Sequence, residues 1–173
     1  MTQGDLSMPD DSRNVPAAGR FDTLAEYRLA IDCVISAARS RIRVFDRSLE
    51  EAGFNAESRF QNLRKFLLGG RERRLEFVLH DVAYVRRDCA RLLSLQRQFS
   101  YAVVIHQTTA EARGIYDGIL VADDAHYVHR FHFDHPRGDW VLNSLASTQP
   151  LIRRLEEIWQ ASAPAVSPTT LGL

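Results

Sequence analysis

Five side chains able to do acid–base chemistry fall at comparable places in this sequence: Asp46, His80, Asp81, His106 and Tyr116. The first four each close a short apolar run. Ile42–Phe45 precedes Asp46, Leu75–Leu79 precedes His80-Asp81, and Tyr101–Ile105 precedes His106. In an open α/β sheet the carboxyl ends of parallel strands border the crevice where ligands bind. An aspartate, two imidazoles and a phenol on that edge suit a polar small molecule. They also suit proton transfer near neutral pH, where imidazole titrates. The alternative is plainer: strand ends are polar because the chain leaves the core there, and Asp81 caps a helix.

His126, His129, His132 and His135 crowd a second region. Strand periodicity sends His126 and His132 to one side and His129 and His135 to the other. Their spacing matches no zinc signature, so they are expected as half-exposed strand histidines, with no metal and no cofactor. Cys33 and Cys89 sit among apolar residues of helix-like segments and are expected as two buried thiols. Arg86, Arg87 and Arg91 share a helix with Asp88 and read as a solvated face.

The elements that position these residues follow from periodicity and punctuation. Thr23 and Glu26 have capping-box spacing, and Leu24, Tyr27, Ile31, Val34 and Ile35 recur on a helical period. Arg59–Leu68 is a second amphipathic helix, stopped by Gly69-Gly70. Asp81 opens a third, from Val82 to about Gln98. A last helix carries Leu151, Ile152, Leu155, Ile158 and Trp159, with Ser147 or Thr148 as its cap. Between these lie the strands Ile42–Phe45, Leu75–Leu79 and Tyr101–Ile105. Tyr116–His132 forms a β-hairpin, with Ile119–Ala122 as its first strand and Asp123-Asp124 at the turn. Phe133–Asn143 reads as a loop with room for a short strand near Trp140.

Strands separated by helices predict an α/β domain. The expected architecture is a mostly parallel sheet with an antiparallel hairpin at its edge and helices on both faces. The domain spans 21–162, with a disordered leader over 1–20 and a flexible tail over 163–173.

Composition narrows the function classes. Twenty-two basic and twenty-two acidic residues cancel, so no long-range field draws the protein to nucleic acid or anionic lipid. No apolar run is long enough to span a bilayer, and residues 1–20 lack the apolar region of a secretory signal. The expected location is cytoplasmic.

The strand–helix order, the length and the late hairpin resemble one half of a phospholipase D-like fold. The resemblance covers about Phe21 to Ser162 and is closest to uncharacterised proteobacterial half domains without the catalytic motif. Active members of that superfamily carry His-x-Lys on the first hairpin strand, then four residues, then Asp. The histidine attacks phosphorus and the lysine steadies the phosphoryl oxygens. Laid on this chain, Tyr116 stands at the histidine position, Gly118 at the lysine position and Asp123 at the aspartate position. Arg130-Phe131-His132-Phe133 replaces the small-residue and Asn motif that usually follows. Gly118 carries no charge, and a phenol with a pKa of about 10 is a poor nucleophile at neutral pH.

The resemblance therefore implies a non-catalytic interaction or small-ligand-binding module, in which Asp123 only shapes a turn. The candidate binding residues are Asp46, His80, His106, Tyr116 and Arg130. Active enzymes of the superfamily join two halves across one site, so a homodimer is expected. Similar domains sometimes stand beside acetyltransferases, which makes such a protein a candidate partner. Two alternatives stand beside this reading. One is a hydrolase of phosphodiesters or related substrates, working through His80, His106 and Tyr116 near Asp46. The other is a nucleic-acid-binding accessory.

Overall fold

A computed structural model describes residues 17–168. In chain order the elements are β1 (Ala17–Phe21), α1 (Leu24–Ala37), β2 (Arg41–Asp46), α2 (Glu57–Leu68), β3 (Arg74–Leu79), α3 (Ala83–Asp88), α4 (Ala90–Gln98), β4 (Val103–Thr108), β5 (Gly118–Ala122), β6 (His126–His132), β7 (His135–Leu142), α5 (Leu145–Gln160) and β8 (Ser162–Val166). The strands of the described residues form one sheet in the order β1-β7-β6-β5-β2-β3-β4-β8.

Only the β2–β3 and β3–β4 pairs are parallel. The remaining neighbours are antiparallel, so the sheet is mostly antiparallel rather than mostly parallel. The physical reason lies in the connections. A helical crossover returns the chain to lay down a parallel neighbour, and α2 and the α3–α4 pair do this. The links within β5–β6–β7 are tight turns, which permit only antiparallel pairing.

The two outermost strands come from segments expected to be unstructured. Ala17–Arg20, read as part of the leader, pairs with β7, with Ala17 opposite Leu142 and Phe21 opposite Gly138. Ala163–Val166, read as tail, pairs with β4. Residues 1–16 and 169–173 lie outside the described residues. Edge strands need little apolar signal because much of their surface faces water, and β1 and β8 are mostly exposed or half-buried. Pro164 is tolerated on such an edge, where a missing N–H costs no ladder bond. The segment read as a loop around Trp140 is largely the full strand β7.

Side chains alternate between two cores. Ile42, Val44, Leu75, Phe77, Leu79, Leu120 and Val128 face α1 to α4. Phe45, Val78, Ile119, Val121 and Tyr127 face α5, through Leu151, Ile152, Leu155 and Ile158. Helices thus cover both faces, as expected. Each large apolar side chain so buried contributes about 1.5–3 kcal/mol.

Local chemistry sets the helix limits. The capping box is present at α1: the Glu26 amide donates to Thr23 Oγ1 at 3.2 Å and the Thr23 amide to Glu26 Oε2 at 3.3 Å. The third helix is not continuous. It breaks at Cys89, whose backbone (φ −106, ψ 52) leaves the helical region, and Asp81 receives the Ala83 amide at 2.8 Å. The last helix starts earlier than the proline suggested, with Ser144 as its cap and Pro150 inside it. Cys89 is buried, and burial pushes its thiol up to about 11. Cys33 is exposed, contrary to the expectation, because it lies on the outer side of α1.

The hairpin turn forms as read. Asp123 (φ 53) and Asp124 (φ 57) take the positive backbone angles of a tight turn, and the Ala125 amide donates to the Ala122 carbonyl at 3.1 Å. Gly138 is required by a close approach: a Cβ there would lie 2.0 Å from the His129 carbonyl oxygen.

Candidate functional site

Strand β2 delivers Asp46 to its carboxyl end, on the face shared with α1. The carboxylate is buried and accepts the amides of Ser48 at 3.2 Å and Leu49 at 3.3 Å. The Tyr27 phenol, from the inner side of α1, donates to its second oxygen at 3.3 Å. These two amides bend the chain away from the strand. Leu49 follows in a left-handed conformation (φ 71), which a branched side chain adopts only at an energetic cost of about 1 kcal/mol.

Strand β6 delivers Arg130 to the same place. Its side chain is almost fully buried, with the guanidinium over the Tyr27 ring at 5.2 Å. It donates to the Phe133 carbonyl at 2.5 Å, to the His135 carbonyl at 2.9 Å, and to Glu51 Oε2 at 2.7 Å. Asp46, Arg130, Arg28, Arg47, Glu51 and Phe133 line one open pocket of about 340 Å³. Burial raises the Asp46 pKa, and its two amide donors, the Arg130 charge and the Tyr27 hydrogen bond offset this only in part. Burial likewise pushes Tyr27 well above the usual tyrosine value.

Of the other expected site residues, His80 borders this place but is fully engaged. The Ile115 carbonyl can only accept, so Nε2 carries the proton and donates to it at 2.6 Å. In the neutral ring Nδ1 then accepts from the Thr108 hydroxyl at 2.7 Å. The ring stands edge-on to Phe45 and Phe133 at 5.1 and 5.7 Å. No lone pair is left for a substrate proton.

His106 is not brought to the Asp46 pocket. It stacks on Trp159 of α5 at 3.9 Å and contacts Ser162 Oγ at 3.0 Å, on the β8 side of the sheet. Burial lowers its pKa. Tyr116 is exposed and stacks on His132 at 5.6 Å. The structure therefore joins Asp46 and Arg130, sets His80 behind Phe133, and leaves His106 apart.

The four hairpin histidines have four different environments. His126 is buried rather than half-exposed, and its Nδ1 accepts the Asn143 amide at 2.9 Å. His129 donates to Asp117 at 2.9 Å, and Asp117 also takes Arg154 at 2.6 Å. His132 accepts the Asp134 amide at 3.1 Å, and His135 is exposed. A bulge between Arg130 and His132 breaks the simple alternation. Among the described residues no three His, Cys, Asp or Glu side chains are arranged to hold a metal ion.

Asp123 lies at the opposite end of β2. Its carboxylate accepts the amides of Arg39 at 2.6 Å, Ser40 at 2.8 Å and Arg41 at 3.0 Å, and the Ser40 hydroxyl at 2.8 Å. Burial alone would raise its pKa, but these donors outweigh burial and hold it below the usual carboxylate value. It pins the hairpin turn to the start of β2.

Sequence reasoning missed Tyr27, Glu51 and the Asp117–His129–Arg154 group. Tyr27 lay in a helical apolar stripe, where a phenol reads as core. The parity of Asp46 with Val44 was the available signal, since it aims Asp46 at the α1 face.

Comparison with known proteins places this geometry. The sequence profile of a family described as a domain of unknown function (DUF7931) matches residues 23–169. No curated protein matches the chain. Among solved structures, the chain resembles Nuc from Salmonella typhimurium, a phospholipase D family member. The TM-score is 0.64 at 13% identity, covering 88% of this chain and 100% of Nuc. It also resembles NucT from Helicobacter pylori, with TM-score 0.59 at 12% identity over 87% of this chain and 100% of that one. TrmBL2, an archaeal chromatin protein, gives 0.62 at 11% identity over 86% of this chain, which spans only 54% of TrmBL2. The fold is therefore phospholipase D-like. Among the described residues no helix is long and apolar enough to cross a membrane.

Proposed function

The chain belongs to the DUF7931 family of domains of unknown function, and from that premise and its fold we propose that it is a non-catalytic binding module. The ground at Gly118 carries this reading. A Cβ there would meet Arg130 Cβ at 3.5 Å, Phe133 Cε1 at 3.6 Å and the Tyr27 hydroxyl at 3.6 Å. Gly118 is the position that matches the superfamily's lysine, and as a glycine among Tyr27, Arg130 and Phe133 it places no free cation there. Arg130 brings a cation nearby, but it is committed to Glu51 and two carbonyls. Phosphoryl transfer needs a free nucleophile and fixed positive charge on the non-bridging oxygens. Tyr116 and Gly118 supply neither.

The same pocket suits a polar small molecule. Arg28 and Arg47 at its mouth offer donors, and Glu50 and Glu51 offer acceptors. A second copy of the chain is the partner proposed for this edge, as in enzymes that pair two halves across one site.

The test is turnover of bis(p-nitrophenyl) phosphate by the full chain. The reading expects none above buffer, and none after Tyr116→His with Gly118→Lys, because Arg130 beside position 118 stays committed to Glu51 and two carbonyls. Hydrolysis by the unmodified chain that disappears in a folded His80→Ala variant would establish the hydrolase alternative instead. Light scattering tests the pairing, and a monomer at tens of micromolar by order of magnitude removes it.

A further inference from the structure

We propose that a second pocket, between the sheet and the C-terminal half of α5, binds a neutral single-ring planar heterocycle of pyrimidine-base size, with a hydrogen-bond acceptor beside an amino or N–H donor. This pocket is lined by Arg41, Arg43, Glu76, Val78, Leu155 and Trp159, among others. It lies toward the start of β2 and β3, away from Asp46. Its volume is about 140 Å³. An apolar cavity of about 150 Å³ takes one benzene ring, so the space fits one ring and not two.

The strand register sets the polar wall. Arg43 and Glu76 are partners across the parallel β2–β3 pair, so both side chains leave the sheet on the α5 side, like Phe45 and Val78. The Arg43 side chain is only 9% exposed. One of its nitrogens, Nη2, binds Asp124, while Nε and Nη1 have no acceptor among the described residues. The Glu76 side chain is 14% exposed. Its Oε2 receives both Nε and Nη2 of Arg41, at 3.0 and 2.8 Å, and Oε1 has no donor among the described residues. Open donors therefore stand beside an open acceptor. These atoms stay open to the pocket, and a ligand that pairs both the donors and the acceptor is favoured over one that would leave either unpaired on binding.

On the opposite side α5 contributes the apolar Leu155 and Trp159, with Glu156 and Gln160 beside them. Leu155 and Trp159 are one turn apart on α5, and the Trp159 ring is held by its stack on His106. Both lining arginines already have carboxylate partners, Arg43 on Asp124 and Arg41 on Glu76, and Glu156 adds a further carboxylate to the lining. That argues for a neutral polar ring over a free anion.

The experiment titrates cytosine into the full chain and follows the indole N–H resonance of Trp159, assigned by its loss in Trp159→Phe. A saturable shift at millimolar concentration is expected, with affinity reduced about tenfold or more in Arg43→Met. Arg43 is buried, so Glu76→Gln provides a second variant. It keeps an oxygen for Arg41, replaces the open acceptor with a donor, and should also weaken cytosine. No shift, equal binding of toluene, displacement of cytosine by acetate, or unchanged affinity in folded Glu76→Gln would each overturn the proposal.

Discussion

Strand β2 has an aspartate carboxylate at each end, Asp46 by sequence and Asp123 by tertiary contact. Both accept backbone amides at a chain reversal, yet they are held differently. Asp123 collects three amides and a hydroxyl, with amide distances down to 2.6 Å. Asp46 has two longer amide bonds and a phenol, and is buried at the edge of a pocket. Donors win at Asp123 and burial wins at Asp46, so the two pKa values move in opposite directions. The difference separates scaffold from site. A carboxylate saturated with amides locks geometry. One that is buried and under-supplied remains chemically available beside a pocket.

The comparison is broken most directly by Asp123→Ala. That change orphans the amides at the start of β2 and frees the hairpin turn, so a loss of about 3 kcal/mol is expected by urea denaturation. Arg130→Met comes next. It removes the cation beside Asp46 and leaves two carbonyls and Glu51 without their partner, for about 2 kcal/mol, moderated because Asp46 can take up a proton. Asp46→Asn should cost no more than about 1 kcal/mol, since burial already disfavours the charge it removes. Equal losses for Asp46→Asn and Asp123→Asn would erase the distinction.

The pH dependence sharpens it. The folded pKa of Asp123 is lowered. Its contribution is therefore complete above the unfolded aspartate value of about 3.9 and disappears as pH falls through the folded value. The folded pKa of Asp46 is raised. Its ionisation thus opposes folding, and the penalty grows as pH rises from the unfolded value through the folded one. Urea midpoints between about pH 3 and pH 6 should then show Asp123→Asn approaching wild type on acidification, while Asp46→Asn improves relative to wild type as pH rises. The smallest effect belongs to Gly118→Ala, whose Cβ meets only ordinary contacts, and a change within about 1 kcal/mol is expected by the same denaturation.

Central elements were legible because their signals are local. The Thr23–Glu26 capping box, the apolar runs of β2 and β3, and Asp123-Asp124 at a turn each depend on residues close in sequence. The resemblance to a phospholipase D half rested on that order, and the solved neighbours carry the same fold. The edge strands were missed because β1 and β8 bury little, and burial is what writes a pattern into a strand. Strand direction was misjudged for a similar reason. Alternation of helix and strand predicts crossovers only where a helix intervenes, and the second half of the sheet has none between β5 and β7.

Residue chemistry and spacing sufficed to place Asp46 and His80 at strand ends, whereas His106, expected at one as well, lies inside β4, which runs on to Thr108. Which of them meet was decided by the packed fold. Arg130 reaches Asp46 because β5 pairs with β2 and β6 with β5, bringing positions 46 and 130 to one face. His106 is drawn instead to Trp159, because β4 lies two strands from β2 under α5. Strand pairing is a contest among distant segments, settled by the burial of two cores at once. No window of the chain contains that outcome.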